Sequence, residues 1–344
     1  MRKRIKTMEE FSEFVGLSRP TVSKYFNDPT SVRPSTRIAI EAALRQSGFR
    51  PSILAVNLNR RRSNMLGLIV PDPTDPFYMG LTSRIEVIAR DAGFLSFVLS
   101  SDGKADMEEE ALLTFKSMNI AGVIIAPLGA SSRQSNLMEV VKSMPVVFVD
   151  SALNDTSSFV GTNNSQSVGL IVDYLCRSGP PPCFFGMPTV NNNAFERQQA
   201  YVDAMRRHGA APMVIDLTPS DSWHFEKFAF DETMRILKGG RRFPSKTVLC
   251  ANDRIAFGLI GAAYQMGLSV GHQANCDLRV AGHDDHLLAR YTCPPLTTVS
   301  QDVDLISRTA LEILMKRLGG DMGAHSAEGE RIFLNAEIML RGSA

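Results

Sequence analysis

Residues 16–28 read GLSRPTVSKYFND, which is the pattern of a tight turn followed by a short helix. Gly16 suits the turn, and Ser18 can cap the helix. Residues that recur at helical spacing follow this cap: Thr21, Val22, Tyr25 and Phe26. Pro20 would be the second helical residue, where no intrahelical N–H bond is lost, so the helix tolerates it. The stretch therefore predicts a helix that runs to about Asn27.

The flanking residues predict two more helices. Thr7 and Glu10 have the spacing of a capping box, so a first helix is expected to open at Met8. The apolar residues expected to face inward from it are Phe11, Phe14 and Val15. Ser35 can cap a third helix, TRIAIEAALRQSG, which Gly48 closes. Three helices with a tight turn between the first two form a helix-turn-helix unit.

Charge is distributed unevenly along the 344 residues. Residues 1–64 contain 13 Lys and Arg against 5 Asp and Glu, a net charge of +8, whereas the remainder contains 24 against 31, a net charge of −7. A basic head on an acidic body indicates that the head alone meets a polyanion.

Composition and motifs disfavour several classes of protein. The five cysteines form no C-x-x-C pair, which favours reduced thiols, and no apolar run approaches the roughly 18 residues that span a bilayer. The N-terminus lacks the apolar segment of a secretory signal, so we expect a cytoplasmic protein without membrane contact. HDDH at 283–286 ends a predicted strand, and no metal site is expected there. Because P-loop, G-x-S-x-G and dinucleotide-binding motifs are missing, we expect no catalytic residues, no cofactor and no enzyme activity.

From Met65 onward, short apolar runs alternate with amphipathic helical stretches. The runs are MLGLIVP, FLSFVLSS, AGVIIAP and VVFVD, followed by CFFGM, MVIDL, TVLCAND and LRVAGHDD. This alternation predicts two doubly wound α/β lobes with parallel sheets, whose ligands bind beyond the carboxyl ends of the strands. Residues 53–64, ILAVNLNRRRSN, join head and body, either as a plain linker or as a segment that becomes helical only on DNA.

Seven stretches, in order, resemble the LacI/GalR repressors. They are TMEEFSEFVGLSRPTVSKYFND, SVRPSTRIAIEAALRQSGFRPSILAVNL, LGLIVPDPTDPFY, VLCANDRIAFGLIGAAYQMGL, VAGHDD, PPLTTVSQD and LRGS. The resemblance implies an all-α helix-turn-helix head at 1–51 and a hinge helix or linker at 52–64. It also implies a two-lobe α/β body at 65–344, like the periplasmic binding proteins, for effector binding and dimerisation. The first lobe is expected at about 65–162 and 295–326, and the second at about 163–294 and 327–344.

The resemblance also implies DNA contacts, position by position. Base contacts fall on Arg19, Pro20 and Lys24, and backbone contacts on Thr7, Ser18, Thr21, Ser23 and Asn27. Leu58 matches a leucine that wedges into the minor groove, with Ala55 beside it, and the phosphate contacts expected after them are Arg60, Arg61 and Arg62. Because Pro20 offers only apolar contact, base recognition by hydrogen bonds is left to Arg19 and Lys24, with a shifted sequence preference.

In the body, the resemblance implies an effector site between the lobes. The expected effector contacts are Asp72, Asp75, Phe77, Tyr78, Asp150, Arg197, Trp223, Asn252, Asp253, Asp284 and Gln301. Carboxylates, amides and the Arg197 guanidinium suit vicinal hydroxyls, and the single tryptophan, Trp223, can cover a sugar ring. A sugar or sugar derivative is therefore the expected effector. His283 replaces the aromatic residue usual before the two aspartates, which is expected to place an imidazole at the mouth of the pocket.

The resemblance implies a homodimeric regulator, acting as a repressor on a near-palindromic double-stranded operator. The chain stops at LRGSA without an apolar heptad tail, so the tetramerising extension of some relatives is expected to be absent. Two alternatives remain open: the same fold responding to a purine or to a phosphoprotein corepressor, and a solute-binding protein without a role on DNA.

Overall fold

The computed structural model describes residues 5–51, 63–129, 132, 134–319 and 329–344. The chain divides into two compact units, one of Met1–Met65 with Thr114–Ala121 and the other of Leu66–Leu113 with Gly122–Ala344. We refer to residues 5–51 as the head and to the second unit as the body. In the described ranges, no helix is long and apolar enough to cross a membrane.

The head contains three α-helices and one short 3-10 turn: α1 (Met8–Val15), α2 (Arg19–Asn27), the turn Pro29–Ser31 and α3 (Pro34–Ser47). The predicted capping box is present, because the Thr7 hydroxyl accepts from the Glu10 N–H while the Glu10 carboxylate accepts from the Thr7 N–H. Gly16 ends α1 with a φ of 71°, a left-handed conformation that glycine adopts without steric cost. Pro20 lies in the first turn of α2, and the helix forms around it as predicted.

Two predictions about the head are corrected. Helix α3 begins at Pro34 with Arg33 as its N-cap, instead of after Ser35, because proline fits the first turn of a helix. Phe14 is 46% exposed, since the neighbouring helices cover only one narrow stripe of the short α1. The residues that form the head's core are Phe11, Val22, Tyr25, Ile40, Ala43 and Phe49, with the rings of Phe11 and Phe49 stacked at 4.7 Å.

The first lobe of the body is built on a six-stranded sheet. Its described strands are β1 (Met65–Val70), β2 (Leu95–Ser100), β3 (Gly122–Ile125), β4 (Val146–Val149), β5 (Phe159–Thr162) and β10 (Arg331–Leu334), in the order β10–β5–β4–β3–β1–β2. The helices of this lobe are α4 (Pro76–Asp91), α5 (Ala105–Ser117), α6 (Gln134–Ser143) and α11 (Val303–Gly319). Neighbouring strands from β1 to β10 pair in parallel, as the continuous apolar runs predict.

The second lobe contains a smaller parallel sheet. Its described strands are β6 (Cys183–Phe185), β7 (Thr247–Cys250) and β8 (Arg279–Ala281), in that spatial order. Its helices are α7 (Asn164–Ser178), α8 (Asn192–Arg207), α9 (Phe225–Lys238) and α10 (Asp253–Gln265). Two further strands, β9 (Thr298–Ser300) and β11 (Glu337–Met339), pair antiparallel beside it. The two sheets confirm the expected fold class.

The path between the lobes differs from the expected one. Strand β10 pairs with β5 and so completes the first sheet, although residues 327–344 were expected in the second lobe, because β5 leaves an edge free for it. Residues 295–326 were expected in the first lobe. Thr297 and Ser300 form bridges to Ala281 and Asp284, so this stretch begins on the second lobe. The run MVIDL contributes a single bridge, between Val214 and Phe184, instead of a strand.

The expected minor-groove and phosphate contacts of the linker lie outside the described residues. These are Ala55, Leu58, Arg60, Arg61 and Arg62. The hinge at 52–64 and the domain boundaries on either side of it remain predictions.

Candidate functional site

A cleft in the body opens at the carboxyl ends of strands from both lobes, where parallel sheets place their ligands. Asp150 directly follows β4, Asn252 lies two residues after β7, and Asp284 lies three residues after β8. Asp150 has a φ of 64° and Asp284 a φ of 127°, conformations that non-glycine residues adopt at an energetic cost. This local geometry brings both carboxylates into the lining of one pocket.

The pocket in the cleft is lined mainly by polar and aromatic side chains. Its lining consists of Asp75, Phe77, Tyr78, Asp150, Met187, Asn191, Asn193, Arg197, Trp223, Phe225, Asn252, Asp284 and Gln301. Its free volume is about 30 Å³, which holds a water molecule but no sugar. An adjoining cavity of about 400 Å³ shares Asp75, Phe77 and Asp284 with it. The lobes must therefore separate before a ligand-sized molecule can reach the polar pocket.

Arg197 and Asp284 form the central ion pair of the pocket. The Arg197 guanidinium is 3.1 Å from the Asp284 carboxylate, and Arg197 is only 4% exposed. Its other N–H groups donate to the Asn164 side-chain oxygen at 3.2 Å and to the Ala251 carbonyl at 2.8 Å. Gln301 donates to Asp284 at 2.7 Å. Despite its burial, the pKa of Asp284 is lowered, because Arg197 and these hydrogen bonds favour the carboxylate.

The position of His283 corrects the expectation of an imidazole at the mouth of the pocket. His283 is 1% exposed and lies behind Asp284, with Nδ1 3.0 Å from that carboxylate and Nε2 2.9 Å from the Ser167 hydroxyl. Burial, together with the nearby charge of Arg197, lowers the pKa of His283 to about 4. The imidazole is therefore neutral at physiological pH and orients Asp284 from behind.

The second polar cluster of the pocket is centred on Asp150. It accepts from the Tyr78 hydroxyl at 2.8 Å and from the Asn193 side-chain amide at 2.9 Å. Burial raises the pKa of Asp150 to about 6, against the lowering effect of Arg197 and of the Tyr78 hydrogen bond. Since Asn193 belongs to the second lobe and Asp150 to the first, this amide also links the lobes.

A third cluster, centred on Arg254, was missed in the sequence. Arg254 follows Asp253 at the start of α10 and is 8% exposed. It donates to Asp75 of the first lobe at 2.8 Å and, through two nitrogens, to Glu226 at 2.6 and 2.8 Å. Its guanidinium carbon also lies 5.0 Å from the Phe225 ring centroid. The arginine was adjacent to a predicted site residue, but no periodicity in the chain distinguishes it from a surface arginine.

Aromatic rings surround one side of the pocket. The Tyr78 ring centroid lies 5.3 Å from that of Phe77 and 6.4 Å from that of Trp223, and Trp223 lies 5.8 Å from Phe225. The indole also packs closely on Gly103 of the first lobe, where a Cβ would collide with it. Trp223 thus lies in the cleft and contacts both lobes.

Most of the predicted effector contacts come together in this cleft, and two do not. Asp72 does not line the pocket, because its carboxylate accepts from the Thr74 N–H and hydroxyl at 2.9 and 2.6 Å. Asp253 is fully buried, because the Thr298 hydroxyl and the His286 N–H occupy its oxygens at 2.5 and 2.7 Å. Residues that the sequence analysis missed also line the pocket: Met187, Asn191, Asn193 and Phe225. The NNN run at 191–193 was the available signal for the asparagines.

The burial of Asp253 predicts a pH-dependent stability. Burial, and then the charge of Asp284, raise the pKa of Asp253 from 3.8 to about 8. The folded state therefore holds a proton that the unfolded state releases, and the free energy of unfolding should fall as pH rises from 5 to 8, by about 1.4 kcal/mol per pH unit from this residue. Asp253→Asn should remove that contribution. Chemical denaturation at pH 5, 6, 7 and 8 measures the free energy of unfolding, with the exposed Asp203→Asn as control. Parallel pH profiles of Asp253→Asn and the unaltered protein would contradict the prediction.

In the head, helix α2 presents the predicted DNA-contacting residues at its surface. The base-contacting candidates Arg19, Pro20 and Lys24 are all exposed, as are Ser18 and Thr7, and the half-buried candidates are Thr21, Ser23 and Asn27. Val22 and Tyr25 face the core of the head and fix the orientation of the helix. Arg19 forms a loose, exposed ion pair of 3.7 Å with Glu9.

Comparisons with known proteins agree with this division. A helix-turn-helix model matches residues 1–48, and a periplasmic binding protein-like domain matches residues 182–344. The ribose operon repressor of Escherichia coli (strain K12) is 27% identical over 342 residues, covering 98% of this chain and 99% of the repressor.

Solved structures show the same fold. The lac repressor dimer bound to operator and the anti-inducer ONPF gives a TM-score of 0.82 at 22% identity, with 99% of each chain covered. The complex of the transcriptional regulator CelR with cellobiose gives 0.65 at 21% identity, covering 99% of this chain and 100% of CelR. The order of head and body, the full-length relative and the shared fold lead to one conclusion: the chain belongs to the LacI family of transcriptional regulators, which are DNA-binding proteins and not enzymes.

Proposed function

We propose that this protein represses transcription by binding a near-palindromic operator as a homodimer, under the control of a small effector in the cleft. The single observation that carries the proposal is the exposed face of α2, with Arg19, Pro20 and Lys24 at the positions that enter the major groove in such heads. Thr7, Ser18, Thr21, Ser23 and Asn27 contact the DNA backbone. Ala55 and Leu58 enter the minor groove where two hinge segments pair.

A sugar or sugar derivative is the proposed effector. The pocket offers carboxylates at Asp150 and Asp284, amides at Asn252 and Gln301, and an indole at Trp223. Sugars present hydroxyl groups on their edges and C–H groups on their faces, which these groups complement. The complex of the structurally similar CelR with cellobiose supports this class of ligand.

Effector and operator are coupled through the angle between the lobes. Bonds across the cleft, such as Asn193 to Asp150 and Arg254 to Asp75, hold the lobes together, and a ligand must replace some of them. If the lobe angle decides whether the hinge segments pair on DNA, each ligand changes the affinity of the other by the same factor.

The DNA-binding proposal predicts the effect of replacing Lys24. Operator sequences are first selected from random duplexes with the full-length protein, and affinity is then measured by fluorescence anisotropy across a range of KCl concentrations. Lys24→Ala and Arg19→Ala should each weaken binding to the selected duplex by about 1–3 kcal/mol and relax specificity at one position. Arg206→Ala, on an exposed face of the body, serves as control. Failure to enrich any sequence would overturn the proposed function.

The effector is tested through Trp223, the only tryptophan. Fluorescence is titrated with monosaccharides, disaccharides, sugar alcohols, sugar phosphates and purine bases. A saturable change with one sugar supports the proposal. A response restricted to purines favours the alternative effector class, which the aromatic rings of Phe77, Tyr78 and Trp223 could stack against. The helix-turn-helix match argues against a solute-binding protein without a role on DNA.

A further inference from the structure

The charges around the cleft do not balance. Arg197 is paired with Asp284. Arg254 is shared by three carboxylates, those of Asp75, Glu226 and, at 3.8 Å, Asp72. Asp150 has no lysine or arginine nitrogen within ion-pair distance among the described residues, and its carboxylate accepts hydrogen bonds from two neutral donors, Tyr78 and Asn193. Five carboxylates thus face two guanidinium groups, and Asp150 is the carboxylate of the pocket lining that has no direct ion pair among the described residues.

An enclosed carboxylate with only neutral donors loses hydration without gaining an ion pair. Asp150 is nevertheless only half-buried, and it lines the pocket. Its oxygens have lone pairs beyond the two that Tyr78 and Asn193 use. Once the lobes separate, a ligand can therefore reach Asp150 and supply a positive charge.

The aromatic side chains provide a second, independent indication of a cation. Phe77, Tyr78 and Trp223 line the same pocket as Asp150, and the Tyr78 hydroxyl bonds directly to its carboxylate. The negative faces of aromatic rings attract ammonium groups, most strongly where water is excluded. The fourth ring, Phe225, already accepts such a contact from Arg254. A carboxylate beside several aromatic rings suits a protonated amine better than it suits a hydroxyl group.

We propose that the effector carries a protonated amine, which binds between Asp150 and the rings of Tyr78 and Trp223. The class of ligand is a small polyhydroxylated amine, such as an amino sugar or an amino alditol. The inference rests on the proposed role of the cleft as the effector site. Anionic ligands, including sugar phosphates and sugar acids, are disfavoured because they add to the excess negative charge.

Matched ligands test the proposal on the full-length protein. Isothermal titration calorimetry at pH 7.0 compares hexosamines with their parent hexoses and with their N-acetyl derivatives, which keep the size of the amine but lose its charge. The same comparison uses 1-amino-1-deoxyalditols and the parent alditols. At least one amine should bind tenfold or more tightly than both its neutral counterparts. If no amine in the panel binds more tightly than its neutral parent, the proposal is overturned.

Asp150→Asn tests the assigned carboxylate. Asparagine has the same shape, tolerates the left-handed backbone at this position and can still bond to Tyr78 and Asn193. The preference for the amine over its neutral parent should fall at least tenfold in this variant and stay unchanged in the exposed control Asp203→Asn. An undiminished preference in Asp150→Asn would overturn the assignment. Far-ultraviolet circular dichroism and thermal unfolding verify that both variants are folded.

The outcomes also separate this inference from the proposed function. A neutral sugar that binds in the cleft and changes operator affinity, with no amine binding better, overturns the amine alone. An amine that binds with the expected preference but leaves operator affinity unchanged supports the inference about the pocket and overturns effector control of DNA binding.

Discussion

Replacing Arg197 with methionine is expected to lower the free energy of unfolding by about 3–5 kcal/mol, because it leaves a buried charge and two buried acceptors without their partner. The acceptors are the Asn164 side-chain oxygen and the Ala251 carbonyl, and the charge is that of Asp284. Methionine has a similar length but no hydrogen-bond donor. Urea denaturation measures the change. Arg206→Met, on the same helix but with a side chain that is 68% exposed, should change stability by less than about 0.5 kcal/mol.

A second substitution shows how much of the loss is electrostatic. Asp284→Asn removes the charge that Arg197 compensates, so the double variant Arg197→Met/Asp284→Asn should be more stable than the sum of the single changes predicts, by about 1–3 kcal/mol. Strict additivity would mean that the ion pair contributes nothing and that Arg197 acts through packing and through its hydrogen bonds to Asn164 and Ala251. Effector binding in the cleft should be lost in both single variants.

Gly258→Ala is expected to lower the free energy of unfolding by about 3 kcal/mol, at the upper end of the cost of overpacking a core. A Cβ at Gly258 in α10 would collide with the Glu226 carbonyl oxygen of α9 and would lie 2.9 Å from the Ala229 Cβ and from the Phe230 nitrogen. These atoms belong to or adjoin the backbone of α9 and cannot rotate away, so the two helices must move apart. The movement should also weaken effector binding, because α9 carries Phe225 and Glu226 while α10 carries Arg254.

Gly261 provides the matched control three residues later on the same helix. A Cβ there meets only Phe230 Cδ2, at 3.7 Å, an ordinary van der Waals contact. Because alanine favours helix over glycine by about 1 kcal/mol, Gly261→Ala should leave stability unchanged or raise it slightly. Thermal and urea unfolding compare the free energies of unfolding of Gly258→Ala and Gly261→Ala. Equal effects at the two positions would show that α9 and α10 adjust to an added methyl group.

The sequence predicted the local structure of the head because local signals specify it. The spacing of Thr7 and Glu10 fixed the start of α1, and Pro20 was correctly placed in the first turn of α2. In the body, continuous apolar runs predicted buried parallel strands. The strand predicted at MVIDL was wrong, because an apolar run is compatible with a single bridge as well as with a strand. The start of α3 was misplaced because both Ser35 and Pro34 are acceptable near a helix N-terminus.

Strand ends and motif order were enough to predict that Asp150, Arg197 and Asp284 belong near the cleft. The contacts that these residues make became known only from the three-dimensional fold. It buried Asp253 and His283 behind the pocket, paired Arg254 with carboxylates of both lobes, and left Asp150 with neutral partners. It also distinguished Gly258 from Gly261, although both lie in one helical run. Partner choice, burial and close approach depend on which distant segments meet, and short-range patterns of polarity and spacing do not contain that information.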